Sequence, residues 1–447
     1  MNYTPHTDLE IKEMLKEIGI ESIDELFKDI KHILLPKSFN LPEGKSEMDV
    51  LKYIEKLSYK NYTDLTCFIG AGFYDHYIPS VVDSISSLPA FYTPYTPYQP
   101  EASQGWLQAL YEYQSVISNL TDMDTANASL YDGGTALYEA CMMSTKITGR
   151  KKIIMDAGVN LIYRTMLYSY TFNLDINFVE IPNIDGITSR EKIIKSLNEG
   201  NVSAIILQNP NFFGYIDDYS DIVEMAHKVG TLVILSVYPV SLGLLKTPGE
   251  MNIDIAVGEG QSLGLPLYFG GPYLGFISTK KDYVRKMPGR IIGRTKDKNN
   301  KDCYVITLQT REQHVRREKA TSNICTNEAL CALRSLIYLC LLGKEGIKEL
   351  AQLILEKASF TKELIKKVPG VSICKKSLPT FNEFTIKLPK NADEVVNKMI
   401  EKGYIAGFPL GRFYKGMDNY LLIAITEKRT KEEIVKFVES LEAVLCD

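Results

Sequence analysis

From residue 126 onward, short β-rich runs alternate with helical runs. This alternation predicts an α/β fold: a large, mostly parallel seven-stranded sheet with helices on both faces. Two further observations complete the outline. Asn327–Lys366 reads as one long, strongly periodic helix interrupted near Gly343, and the residues beyond it change character toward a small C-terminal α+β domain. The predicted organisation is a helical arm over 1–62, a large α/β domain over 63–330, and the long helix with the small domain over 331–447.

Each element has a local reason. In the arm, Thr7 or Asp8 can cap a helix whose apolar positions Leu9, Ile11, Met14, Leu15 and Ile18 keep helical spacing, and Gly19 can end it. Ser22 opens a second short helix reaching Ile30, Pro36 and Pro42 break the chain, and Met48–Ser58 forms a third helix. Phe68–Gly105 is rich in loop residues. Within it, FYTPYTPYQPEASQG (Phe91–Gly105) reads as a stiff extended loop, because each residue before a proline is pushed toward extended backbone. It is too long and too aromatic for a plain connector. Trp106–Thr121 is helical.

The predicted strands are Ala128–Tyr131, Lys152–Asp156, Asn177–Ile181, Ala204–Leu207, Leu232–Val237, Ile253–Val257 and Gly275–Ser278. Between and after them lie helices at Thr135–Thr148, Ile162–Ser169, Arg190–Asn198, Tyr219–Val229 and Lys281–Lys286. The last part offers strands at Val371–Cys374, Phe384–Lys387 and Tyr420–Ala424 and helices at Asp393–Lys402 and Lys431–Val444.

Composition narrows the function. The chain has 447 residues, 45% hydrophobic and 24% charged, an ordinary globular balance. A net charge of −4 with interspersed signs gives no basic stripe for nucleic acid. No apolar run approaches the roughly 20 residues that span a bilayer, and the polar, acidic start MNYTPHTDLE is unlike a signal peptide. A cytoplasmic protein without membrane segments is expected. Eight scattered cysteines contain no C-x-x-C pair, and five histidines show no ligand spacing, so free thiols and no metal site are expected.

Four motifs could carry chemistry. Asp132-Gly133-Gly134-Thr135 sits between a strand and a helix, where helix N-terminal N–H groups suit an anion such as phosphate; a tight strand-to-helix turn is the plainer reading. Asn209–Gly214 (NPNFFG) ends a strand as a ligand-facing loop or as a turn whose Phe212 and Phe213 pack on a neighbour. Gln309–Asn327 gathers Arg311, Arg316, Arg317 and Lys319 around His314. It is either a carboxylate- or phosphate-binding cluster or a solvated face, and His314 either a general base or a structural residue. Val257–Pro272 is a loop with Gly258, Gly260, Gly264, Gly270 and Gly271, followed by Gly275.

Together these segments resemble the glycine cleavage system P-protein family, whose members are pyridoxal-phosphate glycine decarboxylases. The resemblance rests on FYTPYTPYQPEASQG, LTDMDTANASLYDGGTA, QNPNFFG, VGEGQSLGLPLYFGGPYLGF, MPGRIIGRT and QTREQHVRREKATSNICTNEAL, and it covers essentially the whole chain. It implies the pyridoxal-phosphate-dependent transferase fold, type I. It also implies an enzyme of two homologous halves, fused or separate, of which one holds the cofactor lysine. The present chain resembles the other half, subunit 1.

The residues agree with that assignment. A pyridoxal-phosphate site needs a Schiff-base lysine and a carboxylate against the pyridine nitrogen. No lysine occurs between Lys246 and Lys280, and the position implied by the resemblance is Gln261. No Asp or Glu occurs between Glu224 and Glu250, where Ser236 and Tyr238 stand at the strand end. The DGGT turn also departs from the active half. Expected, then, is a chain that binds no cofactor covalently and works with a homologous partner carrying pyridoxal phosphate, as a heterodimer or its α2β2 double. The implied reaction is that of glycine dehydrogenase (aminomethyl-transferring): glycine loses CO2 and its aminomethyl group passes to the lipoyl arm of H-protein.

Type I active sites lie at subunit interfaces, so two segments are expected to reach the partner's site: Tyr95, Thr96, Tyr98, Gln99, Glu101, Ser103 and Gln104, and Lys319, Thr321, Ser322 and Asn323. Interface packing is the plainer reading of both. Two other readings stay open: an independent pyridoxal-phosphate enzyme using Lys246 or Lys280, and a purely structural pseudoenzyme subunit.

Overall fold

Seven strands build the central sheet: β1 (Thr125–Ala126), β2 (Lys152–Asp156), β3 (Asn177–Ile181), β4 (Val202–Asn209), β5 (Leu232–Val237), β6 (Ile255–Glu259) and β7 (Gly275–Thr279). In this computed structural model, which describes residues 5–30, 40–182, 186–324 and 327–446, their order is β1-β7-β6-β5-β4-β2-β3. His32, Cys325 and the break expected at Pro36 lie outside the described residues. Neighbours from β3 through β6 are parallel, while β7 runs antiparallel to both β6 and β1. Strands covered on both faces need apolar side chains at almost every position. The runs Ala204–Leu207 and Leu232–Leu235 supply them.

Side chains alternate across the sheet, and the two layers divide accordingly. Ile154, Ile205, Leu207, Val233 and Leu235 pack with Trp106, Leu110 and Tyr113 of the helix Gln104–Thr121. Ile153, Met155, Ala204, Ile206 and Ile234 pack with Leu137, Ala140 and Cys141 of the helix Gly133–Thr148. The parallel register sets Gln208 beside Ser236, and Ser236 beside Val257. These residues and Glu259 thus meet at the C-terminal ends of the central strands, where open α/β sheets place their sites.

The helix Ala329–Ile365 contains Gly343 at φ 59, ψ −172, which breaks it where the sequence predicts an interruption. Beyond it, Ser372–Ile373, Glu383–Lys387, Tyr420–Ala424 and Phe408–Pro409 form a four-stranded antiparallel sheet in that spatial order. The helices Ala392–Glu401 and Lys431–Cys446 bury Val395, Met399, Phe437 and Leu441 in the core shared with this sheet.

The chain divides into two compact units, Met1–Thr63 and Asp64–Asp447. In the first, Asp8–Ile18 starts with a Thr7–Glu10 capping box and stops at Gly19, φ 82. Ser46 caps Glu47–Ser58, and neither helix has a buried residue.

Some expectations shift. The strand expected at Ala128–Tyr131 does not form. Ser129 at φ 111 interrupts extended backbone, the strand lies at Thr125–Ala126, and Leu130 keeps an isolated bridge to Gly275. The strand expected at Ile253–Val257 runs instead from Ile255 to Glu259. Ile23–Ile30 and Lys281–Lys286 are 3-10 rather than α-helical. The loop-rich stretch contains two short helices, Ser80–Ser86 and Pro89–Tyr92.

Candidate active site

The cleft at the strand ends is filled from within the chain. Gly133 opens its helix with an unpaired N–H, and the Glu259 carboxylate accepts it at 2.9 Å. The same carboxylate accepts the N–H of Gln261 at 2.9 Å and of Leu274 at 3.1 Å. The helix N-terminus that suits a phosphate is therefore satisfied by a side chain. Burial pushes the Glu259 carboxyl up to about 7 against the pull of these N–H donors. The absent side chain of Gly133 matters here: a Cβ would lie 2.5 Å from Tyr163 Oη and 3.0 Å from Glu259 Cβ.

Gln261 is equally committed. Its Oε1 accepts the Tyr74 N–H at 2.9 Å, and its Nε2 donates to the carbonyls of Tyr74 at 3.0 Å and Leu265 at 2.8 Å. Tyr74 belongs to a strap, residues 70–77, that ties the large sheet to the C-terminal sheet. Glu383 accepts from Ala71 N–H at 2.7 Å and from Tyr74 Oη at 2.8 Å, and burial pushes its carboxyl up to about 7. His76 stands between Tyr238 Oη at 2.5 Å and Glu427 Oε2 at 2.7 Å. What remains is a cavity of about 30 Å³ lined by Tyr74, Tyr163, Ser236, Tyr238, Glu259 and Glu383 among others. That is room for a water molecule, against the roughly 300 Å³ or more of an ordinary ligand pocket.

This cleft does not fit pyridoxal phosphate. No lysine lines it, Ser236 and not a carboxylate stands at the strand end, and Glu259 already answers the helix N-terminus. Lys246 donates to Asp218 at 3.1 Å and Ser220 at 2.8 Å, while Lys280 reaches Asp254 at 2.8 Å. Neither lines the cleft.

The other motifs find local explanations. Asn211 Oδ1 accepts the N–H groups of Phe213 and Tyr215, at 3.0 and 3.1 Å, and closes the NPNFFG turn. Phe212 and Phe213 then pack on Phe408 and Tyr414 of the C-terminal sheet region, the plainer of the two expectations. Among the described residues no cluster of His, Cys, Asp and Glu is placed to hold a metal, and no helix is long and apolar enough to cross a membrane.

The two segments expected to serve a partner lie elsewhere, on the surface. Tyr95 and Tyr98 are 76% and 43% exposed, and Gln99 and Glu101 are exposed with them. Thr96 and Ser103 are half-buried. Gln104 faces inward: its amide donates to the Pro100 and Tyr304 carbonyls at 2.7 and 2.9 Å and accepts the Tyr304 N–H at 2.9 Å, anchoring the loop's end. In the second segment Lys319 is exposed, the Thr321 carbonyl accepts from Lys146 Nζ, and Asn323 accepts from Gln313 Nε2 at 3.1 Å. Ser322 hydrogen-bonds Glu139, whose carboxyl burial pushes up to about 7. The residues that sequence reasoning missed are Glu259, Glu383, Tyr74 and Arg290. The one advance signal was an acidic residue, Glu259, at the end of an otherwise apolar strand.

The family model described as glycine cleavage system P-protein matches residues 1–441. The chain is 53% identical over 445 residues to a "Probable glycine dehydrogenase (decarboxylating) subunit 1" of Maridesulfovibrio salexigens, and each covers 100% of the other. A protein of the same description from Geotalea uraniireducens is 52% identical over the same length, again with 100% of each covered. Among solved structures, the chain is similar to a glycine decarboxylase (P-protein) of the glycine cleavage system in inhibitor-bound form. The TM-score is 0.92, the identity 40%, and 100% of each chain is covered. A Lactobacillus brevis glutamate decarboxylase shares the fold alone, with a TM-score of 0.68 and 13% identity over 94% of this chain and 96% of that one.

Proposed function

This chain belongs to the glycine cleavage system P-protein family, and from that premise we propose that it is the subunit of a two-subunit glycine decarboxylase that holds no pyridoxal phosphate of its own. Its fold is the type I fold of pyridoxal-phosphate-dependent enzymes. The observation that carries the reading is the filled cleft, in which Gln261 stands where a Schiff-base lysine is needed and pairs with Tyr74. A homologous partner supplies the lysine and the cofactor, in a heterodimer or its α2β2 double within the cytoplasm.

In this reading the exposed loop around Tyr95, Thr96, Tyr98, Gln99, Glu101 and Ser103, anchored by Gln104, faces the partner's site. Lys319, Thr321, Ser322 and Asn323 face it from the second segment. The assembled enzyme decarboxylates glycine and passes the aminomethyl group to the lipoyl arm of H-protein. Exposed tyrosines with polar neighbours suit such a site, since they offer large rigid surface and hydrogen-bonding tips together.

The test is to purify both subunits, add pyridoxal phosphate to each, and then assemble them. This chain alone is expected to show no absorbance of bound cofactor, and such absorbance in it would overturn the proposal. In the assembled enzyme, Tyr95→Ala and Gln99→Ala are expected to leave assembly intact and impair glycine–CO2 exchange. Unchanged exchange in both would favour a purely structural subunit.

A further inference from the structure

Arg290 is 3% exposed, and its guanidinium meets two stretches far apart in sequence, around Tyr98 and from Glu312 to Asn327. Nη2 donates to Tyr98 Oη at 3.3 Å, and the guanidinium carbon lies 5.4 Å from the centre of the Tyr98 ring. Nη1 donates to Asn327 Oδ1 at 3.3 Å, and Nε lies 3.8 Å from Glu312 Oε2. His314 closes the group, edge-on to Tyr98 at 5.2 Å and 3.6 Å from the same Glu312 oxygen. The backbone beneath is fixed: the Arg290 carbonyl accepts the Ala128 N–H at 2.8 Å, and Arg311 donates to the Gly289 carbonyl at 2.9 Å.

We propose that Arg290 is a positioning residue: from beneath, it locks the 93–104 loop to residues 312–324 and to Asn327, so that both are offered to the partner subunit as one face. The inference rests on the reading above that these segments serve the partner's site. A buried charge is costly unless well partnered, so its retention here calls for the geometry it enforces. A planar fork can meet a ring face, a carboxylate and an amide at once, whereas an ammonium is a point charge on a flexible stem. Charge alone would therefore not suffice, and Tyr98 and Asn327 are linked through the guanidinium.

The experiment uses the assembled two-subunit enzyme and glycine–CO2 exchange. Arg290→Lys is expected to keep assembly, judged by size-exclusion chromatography, and to lower kcat/KM for glycine roughly 10- to 100-fold, the scale of a misplaced positioning group. Arg290→Met, which loses the fork and the charge together, should lower it at least as far. Tyr98→Leu and Asn327→Ala are expected to be non-additive, the double variant losing little more than the worse single one. Wild-type kcat/KM in Arg290→Lys, or strictly additive losses at Tyr98 and Asn327, would overturn the proposal. Should Arg290 variants fail to assemble, the Tyr98–Asn327 cycle decides alone. If Tyr95→Ala and Gln99→Ala also leave exchange unchanged, the reading of the face itself has failed. If they impair exchange while Arg290→Lys does not, only the positioning role has failed.

Discussion

The side-chain amide of Gln261 pairs with both the N–H and the C=O of Tyr74, at 2.9 and 3.0 Å, as one strand pairs with another. One buried side chain thus acts as a rivet for the strap that fills the cleft. The consequences are measurable.

Gln261→Lys will not create a cofactor site. It strips Tyr74 of two buried partners, each worth about 1–3 kcal/mol when left unmade, and a lysine has no room to hold pyridoxal phosphate in about 30 Å³. The isolated variant should denature at lower urea concentration than wild type. Titration with pyridoxal phosphate should give no bound-cofactor absorbance; its appearance would show that the strap yields.

Glu383 sets a pH dependence. Folded, it keeps its proton up to about pH 7, while the unfolded chain releases it near 4.5. The folded state binds the extra proton in that window, so this group's contribution to stability falls as pH rises from about 4.5 to about 7. Glu383→Gln retains an acceptor for the Ala71 N–H and a neutral polar group beside Tyr74 Oη. The variant should gain on wild type by roughly 3 kcal/mol between pH 4.5 and pH 8, read from urea denaturation at both pH values. A difference that does not change with pH would refute this.

Gly133→Ala should destabilise the chain by about 1–3 kcal/mol through crowding against Tyr163. Tyr163→Phe removes the offending hydroxyl and should recover part of the loss in the double variant. Calorimetry of the four proteins closes the cycle, and additive losses would place the strain elsewhere.

Lys146→Met should loosen residues 320–323 without unfolding the chain, since Lys146 Nζ holds the Thr321 carbonyl. Amide hydrogen exchange should speed up in that segment and stay unchanged in β4 and β5. Equal protection in both proteins would mean that the Ser322–Glu139 contact holds the segment alone.

The architecture was legible because its signals are local. Apolar runs at 204–207 and 232–237 could only be doubly covered strands, and Thr7, Gly19 and Gly343 mark helix ends by their own backbone preferences. The absence of lysine between Lys246 and Lys280 was legible too. What filled the space was not. Glu259 meets Gly133 across 126 residues of sequence, Glu383 meets Ala71 across 312, and Arg290 meets Tyr98 across 192. Such pairings depend on how the strap and the C-terminal sheet come together, which no window of sequence encodes. Ser129 misled for a related reason: its left-handed φ is imposed where Leu130 must still bridge to Gly275.

Glu259 is a hydrogen-bond acceptor that cannot dissociate. A cleft closed by a diffusible molecule is stabilised in proportion to the logarithm of that molecule's concentration, and it weakens as the supply falls. A tethered carboxylate removes that variable, because its local concentration is set by the backbone and not by the cell. The helix N-terminus at Gly133 is therefore satisfied without drawing an anion from solution.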